Sequence, residues 1–287
     1  MSGTLNSINT NIGAMVALQS LNQTTTQLNA TQKQISTGYA VADATDNGAA
    51  YAVAQRVRSD VSALTAANQQ LGGVQGLVST TSTSLNDIQN TMSSMRDVLV
   101  SLASGNVSGN QRSQYEAQYK SLLANVKSFV QDASYNGKTL IGNITGSTGT
   151  FSAVSVVRNE VGTTYGIGTF SGSKLFGSIN FTSTQLNGAG TVAALITSTG
   201  TFINQFNSVG TALNTYGSNT NFVTNQVNFN SAKIDSLNAG MGALIDANLA
   251  QESAQLQALT IRQQLGTQAL TLANQTPNTL LTLVKNA

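Results

Sequence analysis

The chain contains neither cysteine nor histidine. That removes thiol nucleophiles, imidazole bases, the ordinary zinc-ligand sets and haem attachment in one step, and with them most enzyme classes. Charge is almost as scarce: 8% of the residues are ionic, against about 25% in a typical soluble domain. No Lys, Arg, Asp or Glu precedes Lys33, and only Glu252, Arg262 and Lys285 follow Asp246. Asn, Gln, Ser and Thr must therefore cover the surface. Such side chains desolvate at far lower cost than ions, which suits surfaces that meet other subunits. The net charge of +2 is small and dispersed, so no nucleic-acid footprint exists. The few carboxylates are scattered, and the closest pair, Asp43 and Asp46, reads as capping or turn residues without an acid–base partner. No catalytic residue, metal site or cofactor is expected. Nowhere do 18 consecutive apolar residues occur, and Met1–Thr10 carries no basic segment, so neither a membrane span nor a cleaved signal peptide is expected. The lone proline, Pro277, agrees with a mostly helical chain.

What is present is periodic. Val57, Leu64, Leu71, Val78, Leu85, Met92 and Leu99 recur one heptad apart, interleaved with Val61, Val74, Ile88, Met95 and Leu102. This is a helix-packing seam about 69 Å long at 1.5 Å rise per residue. A second ladder steps by fours and threes through Phe202, Phe206, Val209, Leu213 and Tyr216, then, after Thr220, Val223 and Val227, and, after Asn230, Ile234, Leu237, Met241 and Leu244. Tyr115, Tyr119, Leu122, Val126 and Phe129 repeat the pattern over a shorter stretch. Three seams of this kind can bury one another as a long antiparallel bundle.

The two ends form a pair. Ile8, Ile12, Met15, Leu18, Leu21, Leu28 and Ile35 make one apolar stripe on an otherwise neutral helix. At the other end Leu249, Leu256 and Leu270 share a seven-residue phase, as do Leu259, Gly266, Ala273 and Leu280. A helix with a single stripe and no charged face is not stable alone, so the ends are expected to coil together or against other copies. Between the halves, from Gly142 to about Gly200, Gly, Ser and Thr are broken by short apolar runs: Phe151, Val154, Val156 and Val157; Tyr165, Ile167 and Phe170; Leu175, Phe176, Ile179 and Phe181. These read as strands of a small β-rich insert, introduced by a tight Asn136-Gly137 turn. With both ladders and both tails outside it, the insert is expected to be dispensable for assembly.

At both ends the residues resemble bacterial flagellin. Ser7-Ile8-Asn9-Thr10-Asn11 is similar to the family's opening, and Ile35-Ser36-Thr37-Gly38 stands where the family has Leu-Ser-Ser-Gly. The acidic, small-residue loop is matched by Ala42-Asp43-Ala44-Thr45-Asp46-Asn47-Gly48-Ala49, and Phe-Asn-Gly-Lys by Tyr135-Asn136-Gly137-Lys138. At the back, Asp246, Ala250 and Glu252, then Gln263-Gln264-Leu265-Gly266-Thr267 and Leu272-Ala273-Asn274-Gln275 through Pro277, Leu280 and Leu281, resemble the terminal helix; Asn248 replaces the usual Asp.

The resemblance implies a mainly α protein with three parts. Residues 1–36 with 246–287 would form a terminal coiled-coil inner core, 37–142 with 198–245 a helical outer tube, and 143–197 a variable β-rich surface domain. It implies a filament subunit for swimming motility, secreted through the flagellar type III channel into an extracellular homopolymer. Its partners would be an export chaperone, the filament cap and hook-filament junction proteins. The inner-core residues would be Ile8, Ile12, Met15, Leu18, Leu21, Leu28, Leu249, Leu256, Leu259, Leu270, Ala273 and Leu280. The bundle seam would be Val57, Leu64, Leu71, Val78, Leu85, Met92 and Leu99 with Phe206, Leu213, Val227 and Ile234. Where flagellins detected by the mammalian Toll-like receptor resemble Gln-Arg-x-Arg-Glu-Leu, this chain has Ser93-Ser94-Met95-Arg96-Asp97-Val98, so recognition by that receptor is not carried over. Alternatives are a hook-filament junction protein, or an adhesin that binds through Tyr165, Phe170 and Phe181; the simpler role for those aromatics is the core of the insert.

Overall fold

The computed structural model describes residues 10–285, with side chains to residue 275. Ile8 therefore lies outside the described residues, as does the Leu280 side chain. Among the described residues the order is α1 (Ile12–Thr37), α2 (Ala44–Ala103), α3 (Gly109–Asp132), β1 (Lys138–Thr139), β2 (Thr150–Phe151), β3 (Val154–Val157), β4 (Thr164–Ile167), α4 (Gly172–Ile179), α5 (Ser183–Asn187), α6 (Ala189–Leu195), α7 (Thr201–Ile245) and α8 (Leu249–Lys285). The fold is mainly α with a small sheet insert. Two compact units emerge: residues through Ser59 with those from Ser236 onward, and Asp60–Asp235.

In the Asp60–Asp235 unit, Leu64, Leu71, Val78, Leu85, Met92 and Leu99 on α2 are all fully buried, and Ala67, Val74, Leu77, Ile88, Met95 and Leu102 fill the positions between them. Their partner on α7 is a heptad row of its own: Phe202, Val209, Tyr216, Val223 and Asn230 are buried. Phe206, Leu213 and Val227, the alternate row expected from sequence, are half-buried against the same core, and Ile234 is half-buried. The α7 row ends on a polar residue because Asn230 has partners. Its amide donates to Asn68 Oδ1 at 2.8 Å and to the Arg158 carbonyl at 3.0 Å, while Gln226 donates to its Oδ1 at 2.9 Å. α3 starts at a capping box, where Ser108 and Gln111 satisfy each other's backbone amides.

Asn136-Gly137 makes the expected two-residue turn. Both residues have positive φ, 49° and 74°, and Tyr135 and Lys138 exchange backbone bonds of 2.8 and 3.0 Å across it. Beyond it β1 pairs in parallel with β2, and β3 pairs antiparallel with β4 in the register Val154↔Ile167 and Val156↔Tyr165. Val154, Val156 and Ile167 alternate inward as their spacing predicts. The third apolar run differs. Leu175, Phe176 and Ile179 lie on helix α4, capped by Ser171, because their one-and-three spacing fits one helical face as well as a strand.

The insert is not separable from the bundle. Val154, Val156, Ile167, Leu175, Ile179, Phe181, Leu186 and Val192 belong to the same core as α2, α3 and α7. Tyr119 on α3 donates to the Ile179 carbonyl at 2.6 Å and stacks on Phe181 at 5.9 Å. Tyr165 stacks on Phe222 of α7 at 3.9 Å and donates to Asn219 at 2.8 Å, and Phe170 packs on the same core. These aromatics are spent inside the subunit. The expectation that the insert is dispensable for assembly takes the ladders as complete in themselves; the insert's side chains instead share their core, so its removal would open a face of the bundle.

Candidate assembly surface of the terminal helix pair

α1 begins at Asn11, whose side chain accepts from Ala14 N at 3.0 Å and donates to the Ala273 carbonyl of α8 at 2.7 Å. α1 ends at Gly38, whose left-handed φ of 76° lets its N–H return to Gln34 O at 2.9 Å. Along the pair, a Cβ on Gly13 would lie 4.0 Å from Ala273, and one on Gly266 would lie 3.3 Å from Leu21 Cδ1. The two helices therefore run antiparallel and close, and this register sets Leu28 opposite Leu259. Both are buried.

The contact face is thus Leu21 and Leu28 against Leu259, Gly266 and Ala273. Leu256 and Leu270 are half-buried, and Val57 on α2 of the same unit is likewise half-buried. The remaining expected residues, Ile12, Met15, Leu18 and Leu249, face outward. They are joined by Val16, Ile261, Leu265 and Leu272, which the heptad phases passed over. Met15 is 62% exposed, Ile261 and Leu265 58% each and Leu272 69%. Ile261, Leu265 and Leu272 are spaced by four and seven, a second stripe on α8 that spacing alone could have revealed. α8 thus carries two apolar stripes, one closed by α1 and one open.

The loops at the base of this pair are tied together. Ala40 N and Val41 N donate to the Ile245 carbonyl at 2.7 and 3.3 Å, and Ala247 N donates to Gly38 O at 2.9 Å. Arg58 lies over the Tyr39 ring, 5.7 Å from its centre. Asp43 and Asp46 are turn residues as expected: Asp43 Oδ1 accepts from Thr45 N at 2.8 Å, and Asp46 Oδ2 from Ala42 N at 3.0 Å. Sequence reasoning missed their shared cation. Lys33 Nζ lies 2.7 Å from Asp43 and 2.8 Å from Asp46, and the clue was that these are the first three charges of the chain. The Lys33 hydrogen bond, with help from Thr45, holds the Asp43 carboxyl well below the usual carboxylate range; Asp46 is lowered by the same ammonium, and Lys33 is raised in return, first by Asp43.

Among the described residues no group of three metal-ligating side chains gathers, and no helix is long and apolar enough to cross a membrane. The chemistry available here is packing and amide hydrogen bonding.

Comparison with known proteins agrees. The family model for the bacterial flagellin N-terminal helical region matches residues 8–145, and that for the C-terminal helical region matches residues 196–284. Flagellin FljO of Caulobacter vibrioides is 31% identical over 98% of this chain and 99% of its own length. A flagellin of Brucella melitensis is 32% identical over 97% of this chain and 99% of its own. In fold, the chain is similar to a solved flagellar hook-associated protein from Vibrio parahaemolyticus, with a TM-score of 0.55 and 16% identity over 70% of this chain and 100% of the other.

Proposed function

As a member of the bacterial flagellin family, this chain is a structural subunit of the flagellar filament, and we propose that the open side of the α1–α8 pair is the surface through which copies join in the filament's inner core. The observation that carries this is the stripe of exposed apolar side chains on α8, Ile261, Leu265 and Leu272, with Met15 exposed on α1, on a pair of helices almost without charge. A self-associating structural protein needs no catalytic group, and the family is not one of enzymes. In a packed tube an unpaired ion would be costly, whereas apolar stripes flanked by Asn and Gln can pack and hydrogen-bond to neighbours.

In the same reading, residues 1–36 with 246–287 form the inner layer, 37–142 with 198–245 the outer tube, and 143–197 the outward face. Ile12, Met15, Leu18 and Leu249 then meet neighbouring copies, while Leu21, Leu28, Leu259 and Ala273 hold the pair itself. Secretion through the flagellar type III channel, to an extracellular filament, suits a chain without cysteine, since no disulfide can lock it before export. An export chaperone, the filament cap and the hook-filament junction are the further partners of such a subunit.

The test is seeded polymerisation followed by electron microscopy, comparing the wild-type chain with Leu265→Lys and Leu272→Lys. Both sites are exposed in the subunit, so the variant monomers should match wild type in helix content and melting point yet fail to extend seeds. Normal filaments from both variants would show that this side of α8 does not face a dry interface.

A further inference from the structure

In the Asp60–Asp235 unit, helix α2, the Tyr135–Lys138 turn and strand β3 line a cleft of about 350 Å³. That volume lies at the lower end of small-molecule pockets. Glycines keep its α2 side bare. A Cβ on Gly76 would fall 2.5 Å from Cζ of Tyr135, so packing of that ring on the α2 backbone requires Gly76. Gly73, one turn earlier, lines the cleft beside Val74, and a Cβ on it would meet nothing within 4 Å. The room its missing side chain leaves is therefore room in the cleft. The polar groups around this space are unengaged: among the described residues, the side chains of Gln70, Tyr135, Asn136 and Lys138 make no hydrogen bond within the subunit. Lys138 is the one charged residue that lines the cleft, and the four ion pairs among the described residues use Lys33, Lys120 and Lys233 instead. Ser155, which also lines it, adds main-chain groups. Arg158 N donates to Thr163 O at 2.8 Å, so by the alternation of an antiparallel pair Val154 and Val156 turn their N–H and C=O to β4, and Ser155 turns its own away from it.

We propose that this cleft binds an acidic sugar unit, a hexuronate, with Tyr135 against the C–H face of the ring and Lys138 on its carboxylate. The proposal goes beyond the filament reading and does not depend on polymerisation. A pyranose presents an apolar face of C–H groups and a rim of hydroxyls that each donate and accept. The cleft presents the counterparts. Tyr135, 41% exposed, offers an apolar ring with a polar tip. Gln70 and Asn136 offer planar amides that both donate and accept, and Ser155 offers a free main-chain donor and acceptor. A wholly apolar ligand would strip water from these groups without replacing its hydrogen bonds, which costs affinity. The single ammonium, with no carboxylate beside it in the lining, favours an anion over a neutral sugar. A nucleotide carries several negative charges, and one lysine answers only one. A free hexuronate and a residue within a polyuronate chain share this chemistry, and the test separates them.

The isotope-labelled full-length monomer is titrated with D-galacturonate, with trigalacturonate and with neutral D-galactose, and the amides of Gly73, Asn136 and Ser155 are followed by nuclear magnetic resonance. Those amides should shift saturably with the acidic sugars, which should bind about tenfold or more tighter than galactose. A trimer that binds about tenfold tighter than the monosaccharide assigns the cleft to a polyuronate, and equal binding assigns it to the free sugar. Gly73→Ala should raise the melting point by about 2 to 4 °C, because alanine is the better helix former, yet weaken binding by about tenfold or more, because its methyl occupies the cleft. Gly72→Ala is the control: a Cβ there also meets nothing within 4 Å, and Gly72 does not line the cleft. It should raise the melting point alike and leave binding unchanged. Lys138→Met should bring galacturonate down to the level of galactose. No saturable shift with either acidic sugar, galactose binding equal to galacturonate, or Gly73→Ala and Lys138→Met chains that bind like wild type would each overturn the proposal. The filament reading, which polymerisation tests, would stand in all three cases.

Discussion

Gly172, the first residue of α4, is packed against Val130 of α3 so closely that a Cβ on it would fall 2.3 Å from Val130 Cγ1 and 2.7 Å from the Ile141 carbonyl oxygen. A rotamer change at Val130 does not clear the carbonyl, so α4 can start here only on glycine. Gly172→Ala should therefore destabilise the Asp60–Asp235 unit by about 1 to 3 kcal/mol through overpacking. Gly190 on α6, where a Cβ would meet nothing within 4 Å, is the control: Gly190→Ala should be neutral or stabilising by up to about 1 kcal/mol. Urea midpoints of the two variants measure the contrast, and equal midpoints would refute it.

Removing the insert should unfold more than the insert. Replacing residues 147–192 by a Gly-Ser linker deletes Val154, Val156, Ile167, Leu175, Ile179, Phe181, Leu186 and Val192 from the shared core. At about 1.5 to 3 kcal/mol for each of these eight buried side chains, that loss is about 12 to 24 kcal/mol, as large as or larger than the 5 to 15 kcal/mol by which whole domains are stable. The expected result is a broad, non-cooperative thermal transition by circular dichroism. A sharp melt near the wild-type temperature would mean that α2, α3 and α7 close on each other without the insert.

The two sides of α8 should separate monomer stability from assembly. Leu259 is buried against α1, and Leu259→Ala should cost about 2 to 5 kcal/mol locally. Leu265 is exposed, and Leu265→Ala should stay within about 0.5 kcal/mol of wild type in the monomer. Hydrogen exchange along α1 and α8 is the suitable readout because it resolves the pair from the other unit. Equal protection in both variants would contradict the placement of Leu259 at the contact.

The Lys33 clasp should set a pH window for the loops at the base of the pair. Asp43 and Asp46 have lowered folded-state pKa values, so their contribution is present above the ordinary carboxylate range and lost as pH falls through the depressed values. Lys33 is raised, so its contribution is present below the ordinary lysine value and lost as pH rises through the raised one. Across neutral pH the clasp should be constant. All three groups are open to solvent, so high salt should weaken it. The protection of the Ala42, Asp43 and Thr45 amides, relative to their intrinsic exchange at each pH, should be flat near neutrality, lower in strong acid, and lower throughout in Lys33→Met. A change in those amides near neutral pH would contradict this account.

Much of the helical framework was legible because heptad spacing is a local property: positions seven apart share a face whatever the partner. The six residues from Leu64 to Leu99 at that spacing are all buried, and the Asn136-Gly137 turn follows from two residues that tolerate positive φ. The run through Leu175 and Ile179 was not decidable in this way, since a short apolar stretch satisfies both strand and helix periods. Within the α7 ladder, spacing likewise left two interleaved rows. Contact with α2 and the insert made the row from Phe202 to Asn230 the buried one.

By itself, the sequence determined that this protein is long-helical, almost uncharged at its ends and without catalytic chemistry, because composition and period act residue by residue. Tertiary structure alone decided which apolar stripe of α8 is closed by α1 and which is left open, that the insert shares the bundle's core, and that Lys33 serves both Asp43 and Asp46. Each of these depends on groups brought together from separate parts of the fold, with Leu21 meeting Gly266 and Tyr119 meeting Ile179. Burial and hydrogen-bond partners are properties of such pairs, and no single stretch of chain contains both members.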